Sequence, residues 1–238
     1  MKLATIVLII ALLTGLALLV GGPGARLGLW DFRFGFLLMR YAAYVGIAAL
    51  ALGALALLVP RARQGQGIKL MVALAIAAVV VWIPWQTLRQ ARAVPPIHDI
   101  TTDTDNPPPF EAIAPLRAAA PNPTVYDGEN SARQQHAAYP DIQPIVLPMA
   151  PRDAFDRALA AARDLGWEIV AAVPDLGRIE ATDTSFWYGF KDDVVIRITG
   201  DDRESRIDIR SKSRVGKSDL GKNAERIRAF QEKFLERQ

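Results

Sequence analysis

The stretch DVVIRITGDDRESRIDIRS at residues 193–211 decides how the second half of this chain folds. Val194, Ile196 and Ile198 alternate with Val195 and Arg197, and then Ile207 and Ile209 alternate with Arg206, Asp208 and Arg210. A side-chain period of two is a strand signature, and Gly200-Asp201-Asp202 between the runs supplies the small residues of a hairpin turn. Each strand then has one apolar face to bury and one polar face for water.

Working outward, residues 167–173 and 178–188 read as two further strands, with Gly189 as the next turn. Before them, Phe155, Leu159 and Ala162 recur at helical spacing over 152–165, opposite Arg152, Asp156 and Arg163. After them, Leu220, Ala224, Ile227, Phe230 and Phe234 mark the buried stripe of a helix over about 219–237. Residues 149–238 are therefore an α+β domain with a mainly antiparallel β-sheet and two helices on one face.

The first part of the chain belongs in a different solvent. Runs at about 3–20, 37–59 and 69–88 are apolar and long enough to be membrane spans, with Trp30, Phe32, Trp82 and Trp85 where an aromatic belt is expected. Residues 1–93 thus form a membrane α-helical anchor of three transmembrane helices. A cleavable signal peptide would also begin with Lys2 and an apolar run. However, no A-x-A site follows, Gly21-Gly22-Pro23-Gly24 reads as a turn, and two more spans come after it.

Charge sharpens this division. Residues 1–93 carry nine Lys and Arg against Asp31 alone, leaving 19 basic and 24 acidic residues for the rest. The high pI therefore comes from the membrane flanks, and nucleic acid is not an expected partner, since that binding needs a basic soluble face. Within 95–202 there are 8 basic and 18 acidic residues, and within 203–238 there are 11 and 6. Packing of the acidic part on the basic part explains that polarity; a basic tail facing lipid headgroups or an anion is the other reading. No cysteine is present, which excludes disulfides, thiolate metal sites and Cys nucleophiles. No acidic or His residue lies inside a span, so a transport reading lacks its usual marker.

Counting positive charges on either side of the spans does not orient them. Lys2 on a very short leader before a strong span favours the N-terminus inside. That makes this a multi-pass protein of a bacterial inner (cytoplasmic) membrane, with its soluble domain in the periplasm. Ala42, Gly46, Ala49, Gly53 and Ala56 form a stripe of small residues on the second span, and Ala73 and Ala77 a matching patch on the third. Membrane lipid and a membrane-protein partner docking through the Ala42/Gly46/Ala49/Gly53 face are the expected partners.

Residues 94–148 are dense in proline and short polar residues, and their length predicts a segment wrapped over the domain. It opens with PPIHDITTDTDNPPPF at 95–110, where His98, Asp99 and Asp103 are candidate catalytic residues, as a base with orienting carboxylates. Asp103-x-Asp105 resembles the start of a calcium loop, but Pro107-Pro108-Pro109 replaces the rest of that pattern, so neither a metal nor a cofactor is expected. The competing reading is turn-capping by Thr, Asp and Asn. The only other His, His136, falls in a proline-flanked loop.

A second constellation is DIRSKSRVGKSDLGKNAER at 208–226. Arg210, Ser211, Ser213, Arg214 and Lys217 run into a helix start near Asp219 and Asn223, a combination that can hold an anion. Its structural counterpart is a Ser218 or Asp219 N-cap beside a solvated strand face. No Walker loop, nucleophile elbow, dinucleotide fingerprint or zinc spacing occurs.

Both stretches, together with IEATDTSFWYGFKDDVVIRI at 179–198, resemble the family known as domain of unknown function 1499. The resemblance covers 95–238 and leaves out the helical anchor. It implies domain limits, an exported location and the same candidate residues, but no catalytic assignment. The expected function is a non-catalytic binding or accessory domain, as a subunit of a larger membrane complex. The alternative is an enzyme acting on a phosphorylated or carboxylated small molecule, with His98, Asp99 and Asp103 opposite Arg210 and Arg214.

Overall fold

The computed structural model describes residues 2–236, so the end of the last expected helix at Arg237 lies outside the described residues. The chain divides into two compact units: residues 1–90 with 186–189, and residues 91–185 with 190–238.

The first unit is helical: α1 (Leu3–Arg26), α2 (Phe32–Leu58), a single turn α3 (Pro60–Arg63) and α4 (Gly67–Ala93). Three of these are long and apolar enough to cross a membrane. The expected turn at Gly21–Gly24 is instead the last turns of α1, which continues to Arg26. Its glycines serve packing: a Cβ on Gly35 of α2 would meet the Gly21 carbonyl oxygen at 2.5 Å, so the two backbones touch there. Pro23 forfeits one helical hydrogen bond and leaves the helix unbroken, as membrane helices tolerate.

The small-residue stripe of α2 is also spent inside this unit. Ala42, Gly46, Ala49, Gly53 and Ala56 are all buried. A Cβ on Gly46 would come within 3.2 Å of Val80 and Val81, and one on Gly53 within 2.8 Å of Leu74. Ala49 shares a buried cluster with Val7, Ala11, Ala73 and Ala77. The face expected to receive a partner is thus filled by this chain's own α1 and α4, where close van der Waals packing holds the helices together.

The second unit is a single antiparallel sheet of six strands: β1 (Asp99–Thr101), β2 (Ile145–Leu147), β3 (Glu168–Val173), β4 (Arg178–Thr184), β5 (Lys191–Gly200) and β6 (Ser205–Ser213). Their order is β1-β6-β5-β4-β3, and β2 also pairs with β6. The β5–β6 turn falls at Gly200–Glu204 as expected, where the Asp201 carboxylate accepts from the Arg203 and Glu204 N–H groups.

One face of the sheet is apolar. Ile179, Val194, Ile196, Ile207 and Ile209 pack under α6 (Pro151–Asp164) and α7 (Lys222–Glu236), which bury Phe155, Ala158, Ala162, Ile227, Phe230 and Phe234. Trp167 stacks on Phe230 with ring centroids 5.9 Å apart. This is the core that the periods of two and 3.6 residues called for.

The opposite face is not wet, contrary to the alternation argument. The 102–127 segment lies over it, so Glu180, Asp193, Asp208, Arg210 and Lys212 are all buried. Phe110 and Ile113 of the segment and Val195 of β5 form a small apolar cluster there. The segment's continuation also holds a helix that the proline density concealed, α5 (Glu129–Ala138), in the proline-free interval before Pro140. His136 is therefore helical, and its Nε2 lies 3.0 Å from the Thr104 hydroxyl. Gln135 on α5 finishes the edge of β1: its amide donates to the Thr101 carbonyl (2.6 Å) and accepts from the Thr101 N–H (3.0 Å).

Candidate functional site

The period of two in β6 splits the candidate residues between the two sheet faces. Arg206, Asp208, Arg210, Lys212 and Arg214 engage partners of the covering segment or the same sheet face, whereas Ser211 and Ser213 engage α7. β1 pairs Asp99 with Lys212 and Thr101 with Arg210, which brings the Asp99 carboxylate between two buried cations.

That carboxylate is fully occupied. Arg210 forks onto it through Nε (2.9 Å) and Nη2 (2.8 Å), and Lys212 Nζ donates to it at 2.9 Å. The remaining Lys212 donors go to the Val125 carbonyl (2.6 Å) and Asp127 (2.7 Å), which exhausts the three protons of an ammonium. Arg210 also donates to the carbonyls of Pro108 and Thr124, and its guanidinium lies 4.9 Å from the Phe110 ring centroid and 5.5 Å from that of Tyr126. Burial, reinforced by the Asp99 charge, pushes the Tyr126 phenol up to about 12. Its hydroxyl is buried without a hydrogen-bond partner among the described residues.

His98 does not join Asp99. Its Nε2 is 3.4 Å from Asp127 Oδ2, within ion-pair reach when the ring is protonated but not aligned as a hydrogen bond. Asp103 is elsewhere again. One oxygen caps the Asp105 and Asn106 N–H groups, and the other accepts from Arg197 (3.0 Å), which also bonds Asp208 (2.9 Å).

Arg214 forks onto Asp193 with two contacts of 2.9 Å, and Arg117 of the covering segment donates to the same carboxylate at 3.1 Å. Burial pulls the Arg117 guanidinium below its usual value, and Asp193 opposes that shift. Glu180 takes three consecutive backbone N–H groups of the segment, from Glu111, Ala112 and Ile113, at 2.9 to 3.1 Å. Such a nest of amides suits an anion, and here the chain's own carboxylate fills it.

At the start of α7 the same thing happens. Asp219 accepts from the Gly221 (2.8 Å) and Asn223 (2.7 Å) N–H groups. Burial raises its pKa, while those two N–H groups draw it back down. Asn223 holds Ser211, Ser213, Arg226 and the His98 carbonyl together, and Arg226 reaches Asp183 and Asp192. Lys217 is exposed.

The structure thus brings Asp99 together with Arg210, and Ser211 and Ser213 together with Asn223. It does not bring His98, Asp103 and Arg214 into one site. The open depression beside the cluster, of about 270 Å³, is bordered by Pro107, Pro109, Phe110, Thr124, Val125, Tyr126 and Arg210, and by neither His98 nor Arg214. Sequence reasoning missed Lys212, Asp193, Glu180, Arg117, Asp127 and Arg226. The strand period could have found Lys212, two residues from both Arg210 and Arg214 on the same face. Nothing local marks Arg117 or Asp127 as the groups that close over it.

These features define a membrane-anchored α+β domain whose charged sheet face is sealed by the 102–127 segment between β1 and β2. The family described as Protein of unknown function (DUF1499) matches residues 99–234, from the first residue of β1 into α7, and the chain belongs to that family. No curated protein and no solved structure matches the chain.

Proposed function

We propose that this protein is a membrane-anchored, non-catalytic binding domain that works as an accessory subunit of a larger complex, with its folded domain on the periplasmic face of a bacterial inner membrane. One observation carries the reading: the atoms that would have to meet a substrate are already bonded to one another. Arg210 and Arg214 are each forked onto a buried carboxylate, and the backbone N–H groups that could hold an anion already donate to Glu180 and Asp219. An enzyme would have to break bidentate pairs before binding anything, at a cost of several kcal/mol per pair. Because the small-residue stripe is internal, a membrane partner would meet the outward surface of the helices instead.

Purification of the full chain in mild detergent, followed by cross-linking and mass spectrometry, should recover a reproducible partner. A lone monomer that turns over a substrate contradicts the reading. For the orientation, a reporter active only outside the cytoplasm, fused after Gln90, should be active, and a silent fusion contradicts it.

A further inference from the structure

The turn joining β4 to β5 reads Ser185-Phe186-Trp187-Tyr188-Gly189-Phe190. Its base is fixed: the Ser185 N–H donates to the Phe190 carbonyl (2.8 Å), the Phe190 N–H to the Ser185 hydroxyl (2.9 Å), and Gly189 takes the positive φ of 69° that the reversal needs. Two exposed aromatic side chains, Phe186 and Trp187, are therefore held at the tip of the hairpin, while Tyr188 packs on Phe36 with ring centroids 5.0 Å apart. Phe186 is 81% exposed and Trp187 is 40% exposed. Rings of this kind are unfavourable in water and favourable at the headgroup level of a bilayer, where Trp and Tyr collect.

The covalent structure says which surface is available to them. The helix α4 ends at Ala93 and β1 begins at Asp99, so the connection spans at most ~20 Å even when fully extended. The domain cannot leave the neighbourhood of the bilayer. Phe186–Gly189 also fall in the helical unit, where the Arg26 guanidinium at the end of α1 stands 5.6 Å from the Phe186 ring centroid. A basic group beside an aromatic ring at the end of a spanning helix is the composition of an interfacial belt.

We propose that the 185–190 turn is a lipid anchor, whose Phe186 and Trp187 rings enter the headgroup and acyl boundary of the bilayer that the helices cross. Its ligand class is the phospholipid interface itself. The inference rests on the membrane-anchored part of the function proposed above and not on its non-catalytic part.

The chain contains no cysteine, so a single nitroxide can be placed cleanly. Phe186→Cys and Trp187→Cys, spin-labelled in the full chain and reconstituted in phosphatidylcholine and phosphatidylglycerol nanodiscs, should collide more with oxygen than with a water-soluble nickel chelate. Leu176→Cys, 62% exposed just before the other end of β4, should show the opposite order. Water-accessible labels at 186 and 187, matching the one at 176, overturn the proposal. So do labels shielded from both reagents, which would mean that protein covers the turn. Substrate turnover by the same preparation would contradict the binding reading while leaving the anchor intact.

Discussion

Replacing Asp99 with Asn leaves two cations facing each other where water does not reach. Asp99 and Lys212 are fully buried and Arg210 is 2% exposed. The carboxylate accepts three charge-assisted bonds, at 2.9, 2.8 and 2.9 Å. An amide oxygen in the Oδ2 place keeps the bonds from Arg210 Nη2 and Lys212, while the NH₂ group in the Oδ1 place sets a donor against Arg210 Nε. Breaking a buried ion pair by removing one partner costs ~3–5 kcal/mol; the lost Arg210 Nε bond accounts for ~1.5–3 kcal/mol of that, and the lost negative charge between two cations for the rest. Lys212 keeps Asp127 and the Val125 carbonyl, so the lower end, about 3 kcal/mol, is expected. Hydrogen exchange of the full chain in nanodiscs reads this in the 205–213 peptide, separately from the helices. Exchange there should quicken by roughly two orders of magnitude. The triple change Asp99→Leu, Arg210→Met and Lys212→Met removes both cations along with the anion and should recover much of the loss. A single variant within about 1 kcal/mol of the parent, or a triple variant less stable than the single one, refutes the reasoning.

Three further outcomes follow from the same geometry. Gly35→Ala places a methyl group 2.5 Å from the Gly21 carbonyl oxygen, so α1 and α2 must separate and the thermal midpoint of the detergent-solubilised chain should fall; an unchanged midpoint would mean that the helices do not touch there. Asp219→Ala removes the acceptor for two N–H groups at the start of α7 and should cost about 1 kcal/mol, seen as faster exchange confined to the first turn of that helix. Tyr126 ionises at about 12 in the folded chain, above its ordinary value of 10.0, so its stabilising contribution is whole below pH 10 and is lost as pH rises toward 12. Tyr126→Phe should therefore unfold at higher pH than the parent and lack one phenolate transition near 12 in its ultraviolet titration.

The sheet and its two covering helices were legible because Val194, Ile196 and Ile198, like Ile227, Phe230 and Phe234, keep one period over their whole element. The membrane helices were legible from composition, but their ends were not. Gly21 to Gly24 look like a turn in sequence but continue α1, and Gly21 acts as a packing surface because Gly35, fourteen residues on, lies against it. The charged face misled for a related reason. Alternation tells which residues share a face, but whether that face meets water depends on what lies over it, and charges are hidden when each finds an opposite charge. The polarity of acidic 95–202 against basic 203–238 carried that information. It predicted that the two parts meet, as Asp99 and Asp103 do with Arg210 and Arg206, without saying which residues pair.

Lys212 reports directly on whether the buried cluster is a closed lock or an open site. Native full-length protein treated briefly with an amine-acetylating reagent, with modification followed residue by residue, compares Lys212 with exposed Lys217 in one sample. If the covering segment must open before Nζ is reached, at ~3 kcal/mol or more, Lys212 should react at least about a hundredfold more slowly than Lys217. Equal rates at the two lysines would mean that the face is open to solutes, and would contradict the account.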